Sequence, residues 1–292
     1  MAFGLASVGC WATVATAFKL ALARVDVWQL VFWSTLTASV ALLLMVALTG
    51  QRRALVAGAK AHGRISMAAG LLNPTCYYLV LFKAYELLPA QVAQPINYTW
   101  AIMLTLMAMV FLGQRVRAWD LIAAGVCYGG VFLIATQGDP AQYAGANMTG
   151  VGLALLSTLV WAGYWIINMR DERQPLVGLC LNFIMALPIT LALCLAFSDL
   201  GVSGGGLLGC IYVGLVEMAI AFVFWARALR LASNASRVAN LIFLSPFLSL
   251  VIIHYVLGED IHGTTIVGLV CIVGGLLFQQ WMNRRSGARA SA

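Results

Sequence analysis

The sequence predicts an all-α integral membrane protein: ten transmembrane helices arranged as two inverted five-helix repeats. Three observations lead there. Hydrophobic residues make up 62% of the 292 residues and charged residues 9%, with a mean hydropathy of +0.93. A soluble domain carries about 25% charged residues, so this chain cannot cover a water-facing surface and lipid must solvate most of its side chains. The apolar residues also fall into stretches of about 20, the length that crosses the hydrocarbon core. They lie near 2–22, 28–49, 65–88, 91–113, 119–136, 150–169, 176–197, 207–230, 235–257 and 264–282. Finally, positive charge alternates between the ends of successive stretches.

That alternation sets the orientation. With ten helices both termini lie on one side, and placing them in the cytoplasm puts all but three of the 17 Lys and Arg there, from Arg52 and Arg53 through Arg115, Arg117 and Arg173 to Arg284 and Arg285. The exceptions are Arg24, outside, and Lys19 and Lys83, within helices near their outer ends. This is the positive-inside pattern of a multi-pass membrane protein. The outer turns carry Asp26, Asp139, Asp199, Glu259 and Asp260. The first apolar run reads as the first membrane helix, because no basic leader or small-residue cleavage site accompanies it. The longest polar gap, Thr49 to Arg64, is too short for a soluble domain.

The repeat follows from spacing. Phe111-Leu112-Gly113 and Gly129-Gly130 recur as Val256-Leu257-Gly258 and Gly274-Gly275, each 145 positions later. Ala84-Tyr85-Glu86-Leu87 returns as Ala228-Leu229-Arg230-Leu231 at an offset of 144, and Trp11-Ala12 as Trp161-Ala162 at 150. Residues 1–145 and 146–292 are thus two copies of a five-helix unit. Because five is odd, the second copy enters the membrane from the opposite side. The turn after the fourth stretch is basic (Gly113-Gln114-Arg115-Val116-Arg117), whereas its counterpart is acidic (Gly258-Glu259-Asp260). Secondary transporters are commonly built this way, with substrate near the midplane between the halves.

Several function classes are excluded. A net charge of +7 suggests nucleic acid, but the basic residues sit singly or in pairs at helix ends rather than in a patch. The seven cysteines lie in apolar runs without a C-x-x-C spacing, which argues for packing rather than metal or disulfide chemistry. Three histidines without H-E-x-x-H or G-x-S-x-G leave no enzyme signature, and no G-x-x-x-x-G-K-[ST] is present to bind ATP. A gradient is therefore the expected driving force, with no cofactor. A channel would need a selectivity filter, and no re-entrant signal marks one.

The candidate site residues are polar or aromatic groups at membrane depth. Ser157, Trp161, Tyr164 and Asn168 share one face of the sixth stretch, with Trp165 beside it. Trp161 and Trp165 lie too deep to be interfacial anchors, unlike Trp28, Trp119 and Trp281. They form either an aromatic wall for a substrate ring or ammonium, or a helix-packing surface. Asn73, Tyr77 and Tyr78 flank Pro74, which frees the carbonyl four residues earlier for a neighbour or a ligand. The fourth stretch adds Gln94, Pro95, Tyr98, Trp100 and Thr105. Glu217, in the middle of the eighth, is the sharpest single candidate. A mid-membrane carboxylate faces a cavity or a partner, and it contacts a substrate amine, takes up a proton, or pairs structurally. Lys19, Lys83 and Glu86 are close enough to the outer surface to snorkel, with a substrate carboxylate as the alternative for Lys83. His254 reads as interfacial, Gly129-Gly130 and Gly274-Gly275 as close-packing surfaces, and Gly204–Gly206 as a loop.

The two halves, the Trp11 and Trp161 positions, the Ala-x-x-x-Leu-Pro-Ala ending at Ala84–Ala90 and the Leu-Gly-Glu turn at 257–259 followed by Gly-Gly resemble the drug/metabolite transporter superfamily. The branch is similar to the EamA-type ten-helix exporters, and within it to bacterial aromatic amino acid exporters, over essentially the whole chain. The pattern departs from itself at Leu231-Ala232-Ser233-Asn234, opposite Leu88-Pro89-Ala90, and at Pro246, opposite a differently placed Pro95. The resemblance implies ten helices with both termini inside, a central cavity open alternately to each side, and export of amino acids, aromatic and other apolar ones among them. Cationic amphipathic drugs are the alternative cargo. The expected partners are an amino acid, lipid, and protons if transport is coupled, with a monomer as the simplest assembly.

Overall fold

The structure, a computed structural model, describes residues 2–113, 117–137, 147–169, 171–231 and 240–290. Among these it is helical throughout, with no strand. The helices are α1 (Ala2–Leu22), α2 (Val27–Leu48), α3 (Arg52–Leu87), α4 in two pieces (Ala90–Asn97 and Trp100–Leu112), α5 (Ala118–Thr136), α6 (Met148–Asn168), α7 (Pro175–Phe197), α8 in three joined segments (Gly204–Tyr212, Val213–Ala221, Phe222–Arg230), α9 (Asn240–Leu244, Ser245–Ile252, Ile253–Leu257) and α10 (Gly263–Ala290). Eight are long and apolar enough to cross a membrane, and α9 is shorter, apolar over Leu241–Leu257. The chain is a multi-pass membrane protein.

Three expectations need correction. The gap before Arg64 is not a loop, because α3 begins at Arg52 and runs for 36 residues. That is about 54 Å at 1.5 Å per residue, longer than the hydrocarbon core, so its polar start extends past it. Ala, Leu, Arg and Lys favour this polar start, and no proline precedes Pro74 in α3. The fourth helix is not continuous, since Tyr98 and Thr99 interrupt it. Gly204–Gly206 is the first turn of α8, which Ser203 caps by accepting a hydrogen bond from Gly206 N–H at 3.2 Å. The predicted charges at Arg115, Asp139, Arg170 and Arg237, and the Leu-Ala-Ser-Asn ending at 231–234 beyond Leu231, lie outside the described residues.

Glycines set the helix spacing. In the α5–α10 pair, a Cβ on Gly130 would stand 2.6 Å from Gly268 O, and one on Gly268 would stand 2.7 Å from Gly130 O. Gly275 meets Cys127 Sγ at 2.8 Å in the same way, so backbones touch where side chains ordinarily intervene. Of the two predicted glycine pairs, Gly130 and Gly275 form this contact, while Gly129 and Gly274 face open space. Similar approaches join α3 to α7, where a Cβ on Gly70 would strike Asn182 O, and α8 to α2, where one on Gly214 would strike Ser34 O.

The two ends of the bundle are tied differently. At the end bearing Glu259, Asp26 caps α2 and Gln29 Nε2 donates to Asp199 and to Gly201 O. At the opposite end, Asp120 accepts from Arg117 N–H, Gln279 (2.8 Å) and Asn283 (3.3 Å). There Arg173 pairs with Asp171 and donates to Ser66 Oγ at 2.5 Å, tying the α6–α7 turn to α3. Burial alone would raise the Asp171 carboxyl, but the hydrogen bonds and charge of Arg173 hold it below the usual carboxylate range.

Candidate functional site

The site begins with irregular helix. Pro74 has no N–H to give Gly70 O, and the Thr75 hydroxyl takes that carbonyl at 3.0 Å. The freed carbonyl is therefore satisfied within α3. The break widens Leu71–Cys76 into a π turn with Asn73 in extended backbone (φ −143, ψ 117), and the helix resumes at Tyr77. Glu217 likewise sits in the π-helical segment Val213–Ala221. Such turns are frequent at functional sites because they re-aim side chains.

These irregularities surround one cavity of about 350 Å³, within the range of small-molecule sites. Five tryptophans line it: Trp11, Trp100, Trp161, Trp165 and Trp225. Trp161 is the hub. Its ring lies 4.5 Å from Tyr77, 5.7 Å from Phe222 and 6.4 Å from Trp100, centroid to centroid. Trp100 stacks with Trp165 at 6.5 Å and 16°, and Trp11 meets Trp225 at 5.2 Å and Phe222 at 5.9 Å. Hydrogen bonds hold the wall in register. Tyr77 donates to Asn97 Oδ1 (3.3 Å), Asn97 Nδ2 donates to Ser157 Oγ (2.9 Å), and Tyr98 donates to Ser245 Oγ (2.8 Å). The break in α4 thereby joins α3, α6 and α9.

Of the eight predicted site residues, Tyr77, Tyr98, Trp100, Trp161, Trp165 and Glu217 line the cavity. Tyr78 does not. It is fully buried behind the wall and donates to Glu217 Oε1 at 3.3 Å. Asn73 is also fully buried, away from the lining, and neither of its side-chain polar atoms has a partner. Glu217 is the one charged residue among the described lining residues, and no Lys, Arg or His joins it there. Its Oε2 lacks a partner among the described residues, as do Gln94 Oε1 and the Trp165 indole nitrogen. The arrangement can therefore hold an aromatic or aliphatic group between indole faces and a cationic, hydrogen-bond-donating group at Glu217.

Several lining residues were not read from the sequence as site residues. Trp11 had a signal, since it occupies the repeat position of Trp161. Phe222 and Phe243 look like ordinary apolar residues in apolar helices, and Trp225, five residues from the end of α8, looks like an interfacial anchor. Two candidates resolve as structural: Thr105 accepts from Gln279 at 3.2 Å, and Lys83 forms an exposed pair with Glu86. Lys19 does not snorkel. Its ammonium caps the end of α3, donating to Tyr85 O (2.8 Å) and Leu88 O (3.0 Å).

At the Glu259 end of the cavity stand the lining residues Phe18 and Tyr85. Phe18 packs edge-on against Tyr85 at 5.3 Å, and both are buried. Beyond them, the Glu259 carboxylate accepts from the first amides of α4, Ala90 N–H at 2.8 Å and Gln91 N–H at 3.1 Å. The buried Gln91 side chain donates to Asp260 O (2.8 Å) and accepts from His262 N–H (3.1 Å) and Thr265 Oγ1 (3.3 Å). This clasp joins α4 to the α9–α10 turn. Toward the other end the lining residues Leu104, Trp225 and Gln280 are only half-buried.

Comparison with known proteins agrees with this architecture. The chain is 27% identical over 290 residues to a probable terminal-alkyne amino-acid exporter of Streptantibioticus cattleyicolor, covering 97% of this chain and 93% of the relative. It is 21% identical to an uncharacterized transporter of Clostridium kluyveri, covering 74% and 72%. A solved crystal structure superposes with a TM-score of 0.70 at 18% identity, over 97% of this chain and 96% of that one, so the two share a fold. The model of the EamA-like transporter family matches residues 1–136 and 148–279. The chain belongs to the EamA-like transporter family.

Proposed function

We propose that this protein is a secondary transporter that exports amino acids, aromatic and other apolar ones among them, by alternating access through the tryptophan-lined cavity. The observation that carries this is the cavity itself: five indoles and a single carboxylate among the described lining residues. The indole faces suit a large apolar side chain, and Glu217 suits an α-ammonium. When no substrate is bound, a proton is the other partner that neutralises Glu217. The repeats 1–145 and 146–292 are the moving halves, a reading supported by the family model matching in two stretches and by Gly130 and Gly275, 145 positions apart, in one helix contact. The clasp at Glu259 is then the outer closure, with both termini in the cytoplasm of a bacterium and the chain working as a monomer in the inner membrane.

A second reading is efflux of cationic amphipathic compounds. It is favoured by the lack of any Lys, Arg or His among the described lining residues to meet a substrate carboxylate.

Proteoliposomes preloaded with labelled L-phenylalanine, L-leucine and a lipophilic cationic dye separate the two. Saturable release of the amino acids, falling at least about tenfold in Trp161→Ala and Glu217→Gln, supports amino acid export. Dye release without amino acid release replaces it by the second reading.

A further inference from the structure

Two oxygens on residues of the cavity wall have no hydrogen-bond partner, Glu217 Oε2 from α8 and Gln94 Oε1 from α4. Both residues are more than nine-tenths buried, at 8% and 4% exposure. Burial strips water from these acceptors, and an acceptor without a donor forfeits a hydrogen bond that the unfolded chain would make. Among the described residues, none on the wall repairs the loss. The Tyr78 hydroxyl serves only Glu217 Oε1, the Tyr98 hydroxyl is spent on Ser245 and the Asn97 amide on Ser157. With Glu217 ionised, both oxygens are open acceptors for a ligand donor, and the Trp165 indole N–H, also on the wall, pairs with neither among the described residues.

We propose that Gln94, together with Glu217, makes the site selective for primary ammonium ligands over N-alkylated ones. The proposal deepens the amino acid reading above and rests on it. Indole faces attract any organic cation, whatever its substituents, so the tryptophans alone do not discriminate. Hydrogen-bond acceptors do. A primary ammonium offers three N–H donors, whereas a quaternary ammonium offers none and leaves both oxygens buried and unpaired. A site built to hydrogen-bond a ligand rejects the analogue that lacks the donor far more strongly than an apolar pocket rejects a methylene. Gln94 is thereby the residue that distinguishes an amino acid from a quaternary drug in a cavity whose walls suit both.

The test is a binding titration on the purified full-length protein in lipid nanodiscs, read by quenching of intrinsic tryptophan fluorescence. The probes are L-phenylalanine and its N-methyl, N,N-dimethyl and N,N,N-trimethyl derivatives. L-phenylalanine is expected to bind about tenfold to about a hundredfold more tightly than the trimethyl compound, one unpaired acceptor being worth about tenfold or more. The steepest step should come with loss of the last N–H. In Gln94→Met, a change that keeps the side-chain length, the ratio should shrink about tenfold through weaker L-phenylalanine binding alone. Equal affinities along the series, tighter binding of the trimethyl compound, or an unchanged ratio in Gln94→Met would overturn the proposal. The wild-type series decides by itself if the variant does not fold. Quenching by no member of the series brings down the cavity reading itself, a result distinct from equal binding.

Discussion

The clasp at Glu259 and the α5–α10 pair are both helix contacts, and they are made of opposite materials. The clasp joins α4 to the α9–α10 turn through hydrogen bonds: a carboxylate on two amides, and the Gln91 amide on Asp260, His262 and Thr265. Each bond can be exchanged for water at modest net cost. The α5–α10 pair is held by backbone contact at Gly130, Gly268 and Gly275, with Cys127 Sγ donating weakly to Ile272 O. No solvent substitutes for that packing, which is lost as a whole if the helices separate. The proposed transport cycle would move this bundle at the exchangeable seam and keep the locked one.

The comparison breaks most readily at the glycines. Gly268→Leu would drive a side chain into Gly130 O and Ile134, with Cβ at 2.5 Å from Ile134 Cγ1. A loss of about 3 kcal/mol or more is expected, since overpacking against backbone finds no relief. Size-exclusion chromatography should show loss of the monodisperse peak, while Gly129→Ala, which meets nothing within 4 Å, elutes as wild type. The clasp should yield more gently. Glu259→Gln removes the charge at the first turn of α4, a cap of about 1 kcal/mol. Hydrogen exchange at the Ala90 and Gln91 amides should rise several-fold, with no change at the α5–α10 contact.

The tie at the opposite end is titratable. The Asp171 carboxyl is held low by Arg173. A depressed folded value stabilises the protein above the unfolded carboxylate value of about 4 and loses that contribution as pH falls through it toward the folded value. The thermal stability gap between wild type and Asp171→Asn should therefore be full at pH 7 and close progressively below about pH 4. The smallest effect belongs to Lys83→Ala. Its pair with Glu86 is exposed, at 51% and 43%, and a change within about 0.5 kcal/mol is expected by differential scanning fluorimetry.

The locked seam was legible in the sequence and the clasp was not. Gly129-Gly130 and Gly274-Gly275 announce close packing by spacing alone, although only the structure selects Gly130 and Gly275. Glu259 was legible as an acidic turn, but its partners are the backbone amides of Ala90 and Gln91, which carry no residue-type signal. The same division runs through the cavity. Glu217, Trp161 and Trp165 stand out because charge and indole are unusual at membrane depth. Phe222 and Phe243 do not, because an apolar ring facing a cavity and one facing lipid are the same letter. Tyr78 and Asn73 were legible as unusual residues beside Pro74, yet one hydrogen-bonds Glu217 from behind the wall and the other is buried away from the lining. Side-chain direction after an irregular helix turn depends on the break itself, which periodicity does not encode.

The most direct test of a moving clasp beside a fixed glycine seam is a pair of spin-label distances in nanodiscs. One pair of probes sits at the exposed positions Glu86 and Asp260, across the clasp, and the other at the exposed Ile122 and Leu277, across α5 and α10. On adding saturating L-phenylalanine, the Glu86–Asp260 distribution should gain a longer population while the Ile122–Leu277 distribution stays single and unchanged. A shift between Ile122 and Leu277 with a constant Glu86–Asp260 distance would contradict the account.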